Sequence, residues 1–395
     1  MKNLLTVLSL VIVASPAFAS RARLESLGEG KNGSYYINDG RNIFLNPAAI
    51  SAYKKNMWME LGTASDSADA SNASRVQGGF TNTFGDFTYG VYVGRKSDRL
   101  ASTVALLNAA TANDLIPADH AFEFFLGGEQ GVKWGASLYY AGALSQTTVK
   151  QTTNVLGVKA GVETNGLNVF TTVGINSEAK NDDGTAAGTN VLKGKLSLDV
   201  GATYAMDDIT YLAKFTSTGS EFTPGTSAAT NVKTTAFGVG AGWKKEASKT
   251  VNVYSRVQFD YQKNSLDTNN AAINAVANAV GTGNETFYNL PLVLAAEAQA
   301  TSWLTVRGSV SHSLIGQHNL IKTTGVTTKD SMNNMTTVAA GLGFNFGELT
   351  IDALFGQSGA VAGAASESSQ GTSQAGSTFG FGDNMVSRLS LSYKF

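Results

Sequence analysis

The chain has 395 residues, of which 43 are glycine and only 5 are proline, and charged residues make up 15% of it where about 25% is ordinary. Cysteine is absent and histidine occurs three times, which excludes disulfides, thiolate metal centres and cysteine nucleophiles. A net charge of -1 gives no basic surface for phosphates, which argues against nucleic-acid binding. The composition predicts neither a cofactor nor a metal centre.

The first 19 residues have the pattern of an export signal. Lys2 supplies a positive charge, an apolar stretch runs from Leu4 to Val13, and Ala17-Phe18-Ala19 has the small-x-small pattern of a cleavage site. We therefore predict a signal peptide over 1–19, cleavage after Ala19 and export from a bacterial cytoplasm. After residue 19 the chain contains no run of about 18 apolar residues, so no membrane-spanning helix is predicted. A soluble periplasmic or secreted protein is the alternative at this point.

Residues 20–54 precede the first predicted strand and contain the turn Asn46-Pro47-Ala48. Pro47 disfavours helical geometry at Asn46 and so fixes a bend. The stretch 28–62 resembles the N-terminal hatch region of the FadL family of outer-membrane transporters for hydrophobic compounds, whose hallmark is an Asn-Pro-Ala turn just ahead of the first strand. The resemblance implies a β-barrel with this segment seated against the inside of its wall. A plain periplasmic lead-in is the alternative.

From residue 55 onward, apolar side chains recur at every second position over stretches of about eight to twelve residues, which is typical of strands with one apolar face. One example is Phe87, Tyr89, Val91 and Val93. Sixteen strands are predicted, at 55–63, 75–83, 87–96, 120–128, 132–142, 154–162, 167–176, 191–205, 209–217, 232–243, 250–262, 288–300, 304–315, 335–346, 349–356 and 384–395. Merging or splitting weak segments such as 75–83 and 349–356 would give fourteen or eighteen strands instead.

The connections between these strands alternate between short turns and long polar segments. The long segments are 64–74, 97–119, 143–153, 177–190, 218–231, 263–287, 316–334 and 357–383. Only a closed barrel pairs every backbone group of a set of strands inside hydrocarbon, and an even strand count with short turns at one rim is typical of outer-membrane barrels. The sequence therefore predicts an all-β protein in which residues 55–395 form a transmembrane antiparallel β-barrel with short periplasmic turns and long extracellular loops.

The last predicted strand places Leu389, Leu391, Tyr393 and Phe395 on one face. This ending resembles the signal by which outer-membrane barrels are recognised for assembly, so the predicted partners are the barrel assembly machinery and outer-membrane lipids. A homotrimer is left open. Aromatic residues beside the short turns or the chain end predict a periplasmic girdle: Trp134, Tyr204, Trp243, Phe346 and Phe395.

Charged residues on the polar face of the strands are predicted to line the lumen, because Arg or Lys facing lipid at the midplane costs about 2–4 kcal/mol. The predicted pore-lining residues are Lys193, Lys195, Lys214, Arg256, Arg307, Arg388, Glu60, Glu123 and Asp260. The first four are predicted to form a basic belt opposite Glu60 and Glu123 and to tune ion selectivity. The alternative is a set of scattered solvated charges without a filter role.

Glycines mark two stretches of the predicted lumen face. The first contains Gly238, Gly240 and Gly242, and the second contains Gly341 and Gly343. No helix follows, so this is not a phosphate loop, and the missing side chains predict that another segment approaches the wall closely. The candidates are residues 20–54 or an infolded loop such as 97–119 or 263–287. The last contains apolar residues at helical spacing between 273 and 280.

The predicted function is a porin-like channel for passive diffusion of small hydrophilic solutes and ions. FadL-type barrels have fourteen strands and an apolar pocket, so sixteen strands and a polar lumen weaken fatty-acid transport more than they weaken the fold. A FadL-like transporter with a plugged lumen and a structural or adhesive barrel are the alternatives. No catalytic role is predicted, because His120, His312 and His318 fall near loop mouths and Asp119-His120 is the only adjacent acid-base pair.

Overall fold

Eighteen strands form one antiparallel sheet that closes on itself in the computed structural model. It describes residues 20–395 apart from 64–73, 98, 101–102, 105–106, 109–114, 119, 147–148, 183, 186–188, 226–228, 268–283, 322–326, 332–335 and 358–387. The strands are β1 Asn56–Thr63, β2 Ser74–Phe84, β3 Phe87–Arg95, β4 His120–Glu129, β5 Lys133–Gln146, β6 Lys150–Thr164, β7 Leu167–Asp182, β8 Asn190–Gly194, β9 Ser197–Met206, β10 Ile209–Pro224, β11 Thr230–Ser248, β12 Val251–Asp267, β13 Asn284–Gln299, β14 Leu304–Ile321, β15 Thr327–Ser331, β16 Thr336–Phe346, β17 Leu349–Gln357 and β18 Arg388–Lys394.

The barrel has sixteen strand positions, because two positions are each filled by two short strands. Strands β8 and β9 both pair with β7 and with β10, and β15 and β16 both pair with β14, so the eighteen strands fill sixteen positions. Pairing of β1 with both β2 and β18 closes the ring. The predicted sixteen-stranded antiparallel barrel is confirmed, and the two weak segments form β2 and β17.

Several strands run further toward the long-loop rim than the sequence predicts. Segments 143–153 and 218–231, predicted as loops, lie largely in paired strands of β5, β6, β10 and β11. Above the hydrocarbon both faces of a strand meet water, so the alternation that marks a strand disappears while the backbone ladder continues. The predicted helical stretch 273–280 lies outside the described residues, as do the signal peptide and its cleavage site.

The outer face of the barrel is apolar and carries aromatic residues near the short-turn rim. Tyr204, Trp243, Phe346 and Phe395 are exposed there, together with Phe84 at the end of β2. Trp134 packs edge to face on Phe87 with ring centroids 6.1 Å apart. Exposed apolar surface on this scale fits contact with lipid rather than with water. Among the described residues no helix is long and apolar enough to cross a membrane.

Candidate functional site

Residues 20–54, called the hatch from here on, contain a helix, Arg21–Ser26, and two 3-10 turns, Gly40–Phe44 and Pro47–Ala52. The Asp39 carboxylate caps the first 3-10 turn by accepting from a backbone amide of that turn at 2.9 Å. Asn46 caps the second, since its side-chain oxygen accepts from the Ala48 amide at 3.0 Å. Such caps satisfy amides that a short helical segment leaves without an internal acceptor. The predicted turn at Asn46-Pro47-Ala48 therefore shapes the hatch.

Glycines of the wall make room for the hatch inside the barrel. A β-carbon added at Gly240 or Gly242 would overlap the Tyr36 side chain, and one added at Gly135 would overlap the Pro47 carbonyl group. A segment does approach the glycine face of β11, as the sequence predicts, and that segment is the hatch.

Apolar side chains of the hatch pack against the wall on one side of the barrel. The Phe44 ring lies 4.8 Å from that of Tyr92 and 5.8 Å from that of Phe125, centroid to centroid. Ile50 is fully buried in the same cluster. Burying side chains of this size contributes roughly 1.5–3 kcal/mol each.

The hatch reaches strands on all sides of the barrel. Hydrogen bonds, ion pairs or ring contacts join it to β1–β4, β6, β7, β10, β12, β13 and β18. Close glycine approaches or helix contacts join it to β5, β11, β14, β16 and β17. A segment that touches the wall all round lies across the lumen.

A buried chain of charges holds the hatch to the wall between β13 and β17. Arg23 of the hatch donates to Asp39 at 2.8 Å and, through two nitrogens, to both oxygens of Glu297 at 3.0 Å. The Glu297 carboxylate also accepts from Arg307 at 2.6 Å, and Arg307 donates onward to Asp352 at 2.5 Å. Paired donors of this kind are shorter and stronger than neutral hydrogen bonds. The predicted pore residue Arg307 therefore serves hatch attachment.

Three further ion pairs each join a hatch residue to a predicted pore residue. They are Arg41 with Glu60 at 2.5 Å, Glu29 with Arg256 at 2.6 Å and Glu25 with Arg388 at 2.8 Å. Both members of each pair are mostly or fully buried. These wall charges are thus neutralised by the hatch instead of facing an open channel.

The Asp39 carboxyl is fully buried in the docked hatch. Burial raises the pKa of the Asp39 carboxyl to about 6, although Arg23 and the Arg41 amide act in the opposite direction. The docked state holds the Asp39 proton more tightly than the undocked state does. Protonation therefore stabilises docking fully below the ordinary carboxyl pKa of about 4, and this stabilisation is lost as the pH rises through about 6.

We therefore expect the hatch to leave its docked position more often at about pH 7.5 than at about pH 5, because ionised Asp39 docks less favourably. Single-channel recording at the two pH values measures the open fraction. Asp39→Asn, which cannot ionise, is the matched variant and should remove most of the difference. An open fraction that falls as the pH rises would contradict this assignment.

The loop after β3 also folds into the barrel, at the end opposite the hatch. Its residues Val104, Leu107 and Leu115 are buried against the wall residues Leu192 and Phe222. The Asn108 side chain donates to the Leu115 carbonyl and accepts from its amide, both at 2.7 Å, which ties the loop to itself. The described residues of segment 97–119, a second predicted candidate for an infolded element, thus form the roof of an internal space.

A chamber of about 810 Å³ lies between this roof and the hatch. Its floor includes Tyr35 and Phe44 of the hatch, and its roof includes Ser97, Arg99 and Thr103 of the loop. The wall is contributed by several strands from β4 to β13. A concave space of this volume is large enough for a small organic molecule.

The predicted pore residue Glu123 lines the chamber and has local partners. Glu123 accepts from Lys159 at 2.7 Å and from Arg95 at 2.6 Å, and the Lys159 ammonium also donates to the Phe44 carbonyl at 3.2 Å. This cluster fixes the hatch where it meets the chamber. Arg95 in addition lies over the Phe44 ring at 3.9 Å.

Lys214 and Asp260 form an ion pair at 2.9 Å across β10 and β12. The pair lies over Gly238 of β11, where a β-carbon would overlap both side chains. Gly238 therefore accommodates an ion pair, unlike its neighbours Gly240 and Gly242, which accommodate the hatch.

Lys193 and Lys195 lie elsewhere than the sequence predicts. Leu192 is buried inside the barrel, so the neighbouring Lys193 points to the outer face, where it is exposed. Lys195 lies 3.4 Å from Glu221 on that same face, with both side chains about half exposed. The break between β8 and β9 changes the alternation on which the prediction relied. The four predicted cations therefore form no belt, since only Lys214 and Arg256 are inside and each has an acidic partner.

Sequence reasoning missed the charges of the hatch itself. Residues 20–54 carry arginines and acids that match wall charges of opposite sign: Arg23, Glu25, Glu29 and Arg41. The many charges of residues 20–54, together with charges on the predicted lumen face that had no partner in the sequence pattern, could have predicted that this segment docks inside the barrel. Arg95 and Arg99 of the chamber were missed because they flank a loop.

No protein-family model matches the chain, and no curated protein matches it. Among solved structures it is similar to a bacterial polysaccharide outer membrane secretin, at 7% identity over 86% of this chain and 97% of that one, with a TM-score of 0.46. It is also similar to the P. putida toluene transporter TodX, at 11% identity over 96% and 99% with a TM-score of 0.37. The CymD monoaromatic hydrocarbon channel matches at 9% identity over 95% and 98%, with a TM-score of 0.38.

These likenesses are ones of structure alone, and no sequence family accompanies them. At these identities and TM-scores the likenesses do not bear on function. The function proposed below rests on the hatch, the infolded loop and the chamber between them.

Proposed function

We propose that the protein is an outer-membrane channel that admits small hydrophilic solutes through a lumen that the hatch closes at rest. The observation that carries this proposal is the set of contacts that join the hatch to strands on all sides of the barrel. An apolar outer face with exposed aromatics near one rim supports the membrane location.

The interior favours polar over hydrocarbon cargo. The chamber wall carries threonines and amides such as Thr172, Thr216, Thr234, Gln262 and Asn264. Several of these groups hydrogen-bond to one another, as Thr234 and Gln262 do to Asn264. An apolar solute would displace water from the donors and acceptors that remain, at a cost of about 1–3 kcal/mol for each one left unsatisfied. The proposed channel thus combines a polar lumen with a plug, and we assign it no catalytic step.

Planar-bilayer recording tests the proposal. Since the lumen is plugged, the intact protein should show a low conductance with intermittent openings, and liposomes that contain it should take up small sugars slowly. Steady, large, ohmic steps from the intact chain would instead support an open diffusion pore. A silent barrel that binds detergent or fatty acid tightly would support a transporter for hydrophobic compounds.

A further inference from the structure

We propose that the outer face of β11 and β12 binds a phosphate group of an outer-leaflet lipid through Lys233 and Lys263. Three properties of these two lysines support this site: the face on which they lie, their height above the short-turn rim and the charges around them. The site depends on the membrane location of the barrel and is independent of its gating.

Lys233 and Lys263 lie on the outer face of the barrel. Thr234 of β11 and both Gln262 and Asn264 of β12 line the chamber inside. Because successive side chains of a strand point to opposite faces, the neighbouring Lys233 and Lys263 point outward. Both side chains are exposed.

The two ammonium groups can reach one anion together. Lys263 lies directly opposite Thr235 across the β11–β12 pair, and Lys233 is the next outward residue of β11 on the loop side. Diagonal neighbours of this kind lie about 7–8 Å apart, which is within reach of long side chains. Lysine binds phosphate as a compact charge on a flexible stem, so both side chains can converge on the same group.

Lys233 stands at the height where the hydrocarbon ends. It lies ten residues along β11 from Trp243, which is exposed near the short-turn rim. Ten residues at about 3.3 Å each span about 33 Å of strand, and a tilt of about 40° reduces this to a height of about 25 Å. The apolar band of an outer-membrane barrel has the same height, about 25 Å. Lys233 therefore stands at the level of the lipid headgroups.

Aromatic rings lie on the membrane side of the two lysines. Phe237 and Tyr261 pair across β11 and β12, and their rings stack with centroids 5.0 Å apart and an angle of 24° between their planes. Nearer the short-turn rim the same face exposes Val239 and Val257. Along both strands the outward residues thus change from aliphatic to aromatic to cationic, which matches acyl chains, interface and charged headgroups in that order.

Lys263 has no acid beside it on the outer face. It lies opposite Thr235 of β11 and Thr286 of β13, and Glu285 of β13 points inward to the chamber. Its ammonium makes no ion pair or hydrogen bond with the residues that the structure describes. The neighbouring stretches 226–228 and 268–283 contain no Asp or Glu in the sequence.

Lys233 has acids only at diagonal positions. It lies opposite uncharged residues on β10 and β12, and Glu221 and Asp267 are diagonal to it on the loop side. Glu221 lies 3.4 Å from Lys195, and Lys233 forms no ion pair within the described part of the chain. The two lysines nearest the hydrocarbon thus have no described counter-charge, and a lipid phosphate at this height supplies one.

Fluorescence anisotropy of labelled lipids, titrated with the intact protein in non-ionic detergent, tests the site. Diphosphoryl lipid A should bind at least fivefold more tightly than a neutral glycolipid with the same acyl chains, and the difference should shrink at 1 M salt. Unlabelled lipid A should displace the probe, whereas inorganic phosphate at the same concentration should not. Equal binding of the two lipids would overturn the phosphate site, and displacement by inorganic phosphate would overturn a lipid as its source.

Lys233→Gln combined with Lys263→Gln should weaken lipid A binding at least fivefold and leave glycolipid binding unchanged. Arginine at both positions keeps the charge and should retain binding. The matched control is Lys150→Gln combined with Lys193→Gln, because both lysines are exposed on the outer face opposite an acid, and unchanged binding is expected. Heat-modified migration on gels verifies that each variant is a folded barrel. Full-strength lipid A binding by the folded double glutamine variant would overturn the assignment.

The lipid measurement is separate from the gate. Selective binding of lipid A with steady, fully open conductance would refute the closed lumen and keep the lipid site. Intermittent conductance without discrimination between the two lipids would refute the lipid site and keep the gate.

Discussion

Deletion of residues 20–42 is expected to raise the single-channel conductance several-fold and to lengthen the open state. The deletion removes the ion pairs to Glu60, Glu297, Arg256 and Arg388 together with Tyr36, while every strand remains. Ions would then cross a lumen whose wall charges are hydrated. Planar-bilayer recording in dilute salt measures the change.

The control for this deletion is the integrity of the barrel. Heat-modified migration and the β-signal in circular dichroism should match those of the intact chain, since the closing pair β1–β18 is untouched. A folded deletion variant with unchanged conductance would show that the hatch does not obstruct the path. The alternative of a periplasmic lead-in would then be the better account of residues 20–54.

Arg23→Ala is expected to loosen the hatch with a single substitution. It leaves Asp39 and Glu297 without the guanidinium that bridges them, and breaking a buried charge pair from one side typically costs about 3–5 kcal/mol. Frequent openings should appear in bilayer recordings, and a protease should cut the hatch faster than in the intact chain.

A variant in which Arg23 and its acidic partners are all replaced by neutral residues distinguishes the loss of hatch attachment from a general folding defect. Arg23→Met combined with Asp39→Asn and Glu297→Gln removes the uncompensated charges, so it should restore much of the closed time. Lys195→Ala, on the outer face, should behave like the intact chain. Arg23→Ala with unaltered gating and proteolysis would show that the buried charge chain does not hold the hatch.

Most of the barrel is predictable from the sequence because its physical cause is local. Lipid on one side and a polar lumen on the other impose a period of two, and Phe87, Tyr89 and Val91 show it without any tertiary information. The prediction of strand ends failed where the strands leave the membrane and no longer have lipid on one side. Above the membrane the ladder of β10 continues to Pro224 although its side chains no longer alternate.

The candidate site is less predictable because it depends on contacts between distant parts of the chain. The two-residue break after Gly194 changes which face of the barrel a side chain lies on. Lys193 and Lys195 therefore lie on the outer face and not in the lumen. Arg256 was assigned to the interior, yet its partner Glu29 is 227 residues away and no local pattern joins them. The chamber exists only because the hatch and the loop after β3 enter from opposite ends.

The pairing of β1 with β18 has a consequence for the order of folding events. Asn56 faces Lys394 across that seam, so the contact that closes the ring has one of the largest sequence separations available to this chain. Loop-closure entropy makes such contacts slow to form. The same last strand supplies Arg388 and Ser390, to which the hatch helix attaches. Full anchoring of the N-terminal segment must therefore await the synthesis and insertion of the C-terminal end.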